Sequence, residues 1–300
     1  MSDKVYYDYY AYLEKVRNVT FPGAENEDNS TSTKNKKKVN KLDNKLNINN
    51  YFLPKEYEVD FSKLPKQNWI GFEIDFELLT PWFSKDERNF YYIDDEKKEF
   101  YYQDNPIQKD CLSNRPFMSA SSWKGLLRWS ARMQSGLLEH LKNNEMKMDN
   151  WRDHDWIVHF FGNERERKDY YTVGNLLFFP TFFDKIGHIE SIEYVVINPH
   201  KRRTKAGTQP IYYEVVPKGS KGILRFLYAP MNSEKLSINY FDNLFGALNC
   251  LLTEFGFSAK SNVGWGSAKI ERYKIFIPDT DPLQADTCSK FKEIVHSLLK

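Results

Sequence analysis

The sequence predicts an α+β domain whose strands and helices follow the order βαββαβ. Three observations carry this. Within a strand read from Trp69 to Thr80, apolar and acidic residues alternate strictly from Phe72 to Leu78, the period of a half-buried strand. Two long apolar stripes, one beginning near Ser121 and one near Tyr240, recur at the spacing of a helix. Short apolar runs lie between the two stripes, one ended by Pro180 and the other just before Pro230.

The first strand sets Phe72, Ile74, Phe76 and Leu78 against Glu73, Asp75 and Glu77, and Pro81 closes it. The first helix is expected from about Ser121 to Lys142. Trp123, Leu126, Leu127, Leu137, Leu138 and Leu141 form its buried stripe, and a serine at its start caps free amides. Asn175-Leu176-Leu177-Phe178-Phe179 and Ile223-Leu224-Arg225-Phe226-Leu227-Tyr228 read as the two middle strands. The second helix covers roughly Tyr240 to Glu254 through Phe241, Leu244, Phe245, Leu248, Leu251 and Leu252, with Gly256 as its stop. A final strand, Ala268 to Ile277, follows a glycine-rich turn. This order is the ferredoxin-like arrangement, with two helices on one face of an antiparallel sheet. RNA-recognition domains share the plan, but a fold does not specify an activity.

A hydrophobic fraction of 41% over 300 residues is enough for an ordinary core. The 43 basic and 41 acidic side chains nearly cancel, so only local clusters can argue for a nucleic-acid partner. Cys111, Cys250 and Cys288 are isolated and odd in number, which argues against a disulfide framework or a cysteine-rich zinc site and points to a reducing cytoplasm. The sequence shows neither a secretion pattern nor an apolar run of about 18 residues, so no membrane partner is expected. Residues 1–22 form a tyrosine-rich arm. Its Tyr6, Tyr9, Leu13 and Val16 stripe suits docking on a neighbouring surface, with base stacking as the lesser reading. Residues 23–50 have the composition of a disordered polar linker, and 51–300 hold the main domain with its insertions.

Three clusters suit a phosphate chain. Lys124, Arg128 and Arg132 are spaced four apart on the first helix, near a positive N-terminus where Ser121 and Ser122 add hydroxyls. A solvated helix face is the bland reading of the same stripe. Lys201-Arg202-Arg203-Thr204-Lys205 packs four cations into five positions between Pro199 and Gly207, an exposed loop able to hold RNA backbone without reading sequence. Gly264 and Gly266 permit close approach of backbone amides, with Lys260 adding charge and Trp265 an aromatic surface, though a core position is the simpler reading of Trp265. His154 and His159, near Asp153 and Asp155, would be metal ligands only if another group joined them; ordinary packing is the simpler reading.

Four pieces of sequence, in order, resemble a known family. Asp104-Asn105-Pro106-Ile107-Gln108-Lys109-Asp110 precedes Arg115-Pro116-Phe117-Met118-Ser119-Ala120-Ser121-Ser122-Trp123-Lys124-Gly125-Leu126-Leu127-Arg128. Phe160-Phe161-Gly162 precedes Gly174-Asn175-Leu176-Leu177-Phe178-Phe179. Asn198-Pro199-His200 with the basic run precedes Tyr213-Glu214-Val215-Val216-Pro217-Lys218-Gly219, and Phe257-Ser258-Ala259-Lys260-Ser261-Asn262-Val263-Gly264-Trp265-Gly266 closes the set. Together they resemble the RAMP proteins of CRISPR systems, most closely the backbone subunit that repeats along the guide RNA in type III effector complexes. The pieces correspond to that subunit's aspartate loop and serine-lysine-glycine helix start, its Phe-Gly turn and following strand, its protruding thumb hairpin, and its glycine-rich loop. Ser119-Ala120 stands where the family usually has Pro-Gly, and Pro81-Trp82-Phe83-Ser84 where it often has glycines.

The resemblance implies partners and chemistry. The partners would be guide CRISPR RNA, target RNA and other effector subunits, neighbouring RAMP subunits included. Asp104 would be the catalytic residue for cutting target RNA, using the neighbouring ribose 2′-hydroxyl as nucleophile and holding Mg²⁺ or another divalent cation. Asp110 is the lesser candidate. His200 would contact RNA and, by analogy with guide-processing RAMP proteins, could act as an acid or base. The competing readings are a non-catalytic subunit that caps or spaces the complex, and a pure assembly protein.

Overall fold

Residues Ile70–Leu78 form strand β1, in which every second side chain points into the core. The structure, a computed structural model, describes residues 59–66, 68–86, 91–94, 99–102, 107–110, 115–163, 172–183, 193–197, 211–231 and 237–298. The tyrosine-rich arm and the polar linker therefore lie outside the described residues. Contacts divide the chain into a body of Val59–Gln108 with Arg115–Lys300, and a second unit of which only Lys109 and Asp110 are described.

After β1 come the hairpin β2 (Tyr91–Asp94) and β3 (Glu99–Tyr102), the short β4 (Phe117–Met118), and helices α1 (Ala120–Gln134), α2 (Leu137–Asn143) and α3 (Asp155–Phe161). Then follow β5 (Leu176–Phe178), β6 (Thr181–Phe182), the antiparallel pair β7 (Glu193–Ile197) and β8 (Ile211–Val215), and β9 (Lys221–Tyr228). Helix α4 (Ile238–Cys250), β10 (Ala268–Phe276), β11 (Leu283–Ala285) and α5 (Cys288–Leu298) complete the body.

The main sheet has the order β11-β10-β1-β9-β5, and every neighbouring pair is antiparallel. Its last four strands follow the ferredoxin-like order, as the sequence predicts. In register, Phe72 faces Phe226 on one side and Ile275 on the other, and a bulge interrupts the β1–β10 ladder between Asp75 and Phe76. The helices cover one face. Phe72 packs its ring against Phe226, Phe241, Phe245 and Phe291 at centroid distances of 4.9, 5.9, 5.5 and 6.1 Å, joining β1 to β9, α4 and α5. Phe76 meets Trp123 of α1 edge-on.

Two helix boundaries differ from the sequence reading. α1 stops at Gln134 because Gly136, at φ +94°, turns the chain before α2 begins. α4 ends its regular part at Cys250 and continues as one π-helical turn, Leu251–Phe255, before Gly256 at φ +76° stops it. β11 and α5 lie beyond the last element read from the sequence. They add an edge strand to β10 and a further helix, whose Phe291 and Val295 are buried in the main core. Among the described residues, Cys250 and Cys288 are free thiols, and no helix is long and apolar enough to cross a membrane.

Candidate nucleic-acid interface

The chain leaves β1 at Leu78, and the next residues tie together three separate loops. Leu79 N–H donates to the Ser267 carbonyl at 2.9 Å, and Thr80 and Ser267 share a hydroxyl contact at 3.0 Å. Trp82 pairs its backbone both ways with Val216, just past β8, at 2.9 Å each. Its indole N–H donates to the Phe257 carbonyl at 3.0 Å, and its ring packs on Phe183. Phe83 donates its N–H to Ser258 Oγ at 3.1 Å, while its carbonyl accepts from Ser258 Oγ at 3.0 Å and from the Ala259 N–H at 2.9 Å. Ser84 accepts the Gln108 N–H at 2.7 Å and donates its hydroxyl to Gln108 Oε1 at 2.9 Å, while Lys85 bridges to Ile107. Pro81–Lys85 is thus a rail. It carries the glycine-rich loop, the base of the β7–β8 hairpin and the segment that follows Asp104.

The glycine-rich loop is shaped by its glycines. Gly256, Gly264 and Gly266 have φ of +76°, +87° and +82°, a region costly for residues with a Cβ. A Cβ on Gly266 would lie 2.6 Å from the Ser258 backbone nitrogen, so that glycine is required by packing; at Gly264 the surrounding space is open. Gly264 N–H donates to the Ser261 carbonyl, Trp265 N–H to Lys260 and Gly266 N–H to Pro81, so all three amides are engaged inside the protein. The loop offers charge instead. Lys260 Nζ stands 5.1 Å over the Tyr213 ring, and Trp265 is half-buried edge-on to the same ring, in a small cluster with Phe83 and Val215.

Helix α1 opens at the same end, because Trp123 in its first turn packs on Phe257 at 4.9 Å. Ser119 is the N-cap, its Oγ accepting from Ser122 N–H at 3.1 Å and contacting the hydroxyls of Ser121 and Ser122. The amides of Ala120 and Ser121 have no acceptor within the helix. Lys124 is half-buried on the basic stripe. Arg128 and Arg132 are not simply solvated beside it: both guanidinium groups close on Asp153, at 2.6 Å in each case, and Trp151 Nε1 donates to the same carboxylate at 2.9 Å. Burial alone would raise the Asp153 pKa. The hydrogen bonds from Arg132, Arg128 and Trp151 outweigh it and hold the carboxyl at about 2. Two of the stripe's three positive charges therefore face one fixed negative charge.

Residues 75–269, well over half of the chain, match the RAMP superfamily. The chain belongs to that superfamily. Its solved structural neighbours include a chain in the type III-B Cmr-beta complex bound to cognate target RNA, at 15% identity and TM-score 0.45, covering 88% of this chain and 82% of that one. A type IV-B CRISPR complex contributes another at 13% identity and TM-score 0.42, covering 67% and 90%. A third, from the Csm3–Csm4 subcomplex of a type III-A CRISPR-Cas interference complex, is 13% identical at TM-score 0.41, covering 78% and 98%. No curated protein matches the chain.

In this RAMP chain, Asp104 and the cationic run of His200, Lys201, Arg202, Arg203 and Lys205 lie outside the described residues, and Asp110 is half-buried. Among the described residues, no group of three or more His, Cys, Asp or Glu could hold a metal ion. Of the two histidines read as conditional metal ligands, His159 contacts the Tyr228 hydroxyl at 3.1 Å and Asn175, and His154 packs near the Trp151 ring, while the adjacent Asp153 is engaged by the two arginines. Sequence reasoning missed Trp82, Phe83, Ser84 and Ser258. The available signal was the departure at Pro81-Trp82-Phe83-Ser84, where bulky residues stand in place of glycines.

Proposed function

We propose that this RAMP chain is a subunit of a type III CRISPR RNA-guided effector complex, binding guide RNA and neighbouring subunits and cutting guide-paired target RNA with Asp104. One observation carries the reading. The start of α1, the glycine-rich loop, the base of the β7–β8 hairpin and the segment Ile107–Gln108 all gather at one end of the sheet, around the Pro81–Lys85 rail. Family membership independently supports an RNA role for this end. Ser121, Ser122, Lys124, Lys260 and the Lys201–Lys205 run would follow the phosphate chain there, with Arg128 and Arg132 contributing what charge Asp153 leaves. The opposite face of the sheet is a poor alternative, since Glu73, Asp75, Arg225, Arg272 and Lys274 there are already paired with one another.

In the proposed reaction, the 2′-hydroxyl oxygen of the nucleotide before the scissile bond attacks phosphorus. The P–O5′ bond breaks and the leaving oxygen takes a proton from water, giving a 2′,3′-cyclic phosphate and a free 5′-hydroxyl. Asp104 accepts the 2′-hydroxyl proton, and the protein's share of the work is to hold ribose and phosphate in line. A single carboxylate suits Mg²⁺ only in the open manner, with water and RNA oxygens as its other ligands; bound there, the ion would neutralise charge on the phosphoryl oxygens.

The test assembles the protein with guide RNA and neighbouring subunits, adds labelled complementary RNA with Mg²⁺, and compares the wild type with Asp104→Ala at matched binding. Regularly spaced cuts that vanish in the variant, with target binding retained, are the expected result. An unchanged cutting pattern, or none in either protein, leaves a structural RNA-binding subunit.

A further inference from the structure

The best-defined contact at the candidate interface is a single buried hydroxyl. Ser258 Oγ accepts the Phe83 N–H, donates to the Phe83 carbonyl and accepts the Lys260 N–H at 3.2 Å. It completes a two-way backbone bridge with a side chain, and the third bond fixes the residue that carries the loop's charge. Phe83 also packs edge-on against Tyr213 at 5.1 Å, and Tyr213 is the ring over which Lys260 Nζ rests. One hydroxyl thus determines where Lys260 stands relative to the base of the β7–β8 hairpin. No slack remains on the other side, where Gly266 lies too close to Ser258 to accept even a methyl group.

We infer that Ser258 is a positioning residue for RNA: its hydroxyl locks the glycine-rich loop to Phe83 and fixes where Lys260 stands relative to Tyr213 at the base of the β7–β8 hairpin. The inference rests on the RNA-binding reading above. Two phosphate contacts act together only when their separation matches the rise of the RNA backbone, so a loop that drifts by about an ångström loses the contact while keeping its charge.

The test measures affinity of the full chain for guide RNA across a salt series. Lys260→Ala is expected to weaken binding roughly three- to tenfold and to lower the salt slope by about one. Ser258→Ala removes no charge, yet is expected to give the same loss and the same lower slope, and the double variant is expected to be no weaker than Lys260→Ala alone. A merely structural serine would leave the slope unchanged, or its effect would add to that of Lys260→Ala; either result overturns the inference. If Ser258→Ala does not fold, Ser258→Cys, close in volume with a weak donor and acceptor, takes its place with the same expected direction. Lys260→Ala without effect, together with unaltered binding after replacing Lys201, Arg202, Arg203 and Lys205 by Ala, removes the RNA-binding reading itself and the positioning role with it.

Discussion

The two faces of the sheet are built from the same strands and held by different physics. On the covered face, Phe72, Phe76 and Phe226 are fully buried, and Phe72 and Phe76 meet the aromatic rings of three helices. On the other, Glu73 sits between Arg225 at 2.7 Å and Lys274 at 3.1 Å, its direct cross-strand neighbours, while Asp75 pairs with Arg272 and Lys221 with Glu271. One face gains stability from volume removed from water, and the other from charges whose worth depends on depth. The lesson is that burial, rather than the number of contacts, ranks the consequences of a substitution.

The sharpest test of that contrast is Phe72→Ala, expected to destabilise by about 3–5 kcal/mol, since it opens a cavity where four rings meet. Chemical denaturation should show the loss at both low and high salt. An intermediate case is Asp153, which is 6% exposed between two arginines. Its carboxyl is held at about 2 against an ordinary 3.8, so its ionised form stabilises the fold above about pH 4, and the contribution disappears as pH falls towards 2. The corresponding loss is about 2 kcal/mol, and in acid titrations of stability Asp153→Asn should flatten that limb. The smallest effect belongs to Lys221→Ala on the charged face, where the lysine side chain is 52% exposed: a change within about 0.5 kcal/mol that shrinks further in high salt. A large Lys221 effect would break the ranking by depth.

The fold was legible because β1 alternates cleanly and α4 carries an unbroken apolar stripe, signals that depend only on near neighbours in sequence. The break in α1 at Gly136 was less visible, since the apolar stripe continues across it. β11 and α5 were missed because their anchors, Ala285, Phe291 and Val295, are sparse among polar residues and make sense only once packed on β10 and α4. At the candidate site, the serine cap and the glycine-rich loop could be read locally. That Asp153 engages Arg128 and Arg132 could not, because the partners are 25 and 21 residues apart and are brought together by the return of the chain between α2 and α3. Ser258 was hidden for the same reason, its partner Phe83 lying 175 residues away.

The Pro81–Lys85 rail has a mechanical consequence. Because the glycine-rich loop, the hairpin base and the segment after Asp104 are all bonded to the backbone of the same five residues, they share one frame of reference. Inserting or deleting a single residue there would shift all three by one step of a strand, about 3.3 Å, and flip the sides to which they attach. A pull on the hairpin, such as a neighbouring molecule would exert, is likewise delivered through Trp82 and Ser84 to the chain on either side. The end of the sheet behaves as one stiff bracket whose arms move together.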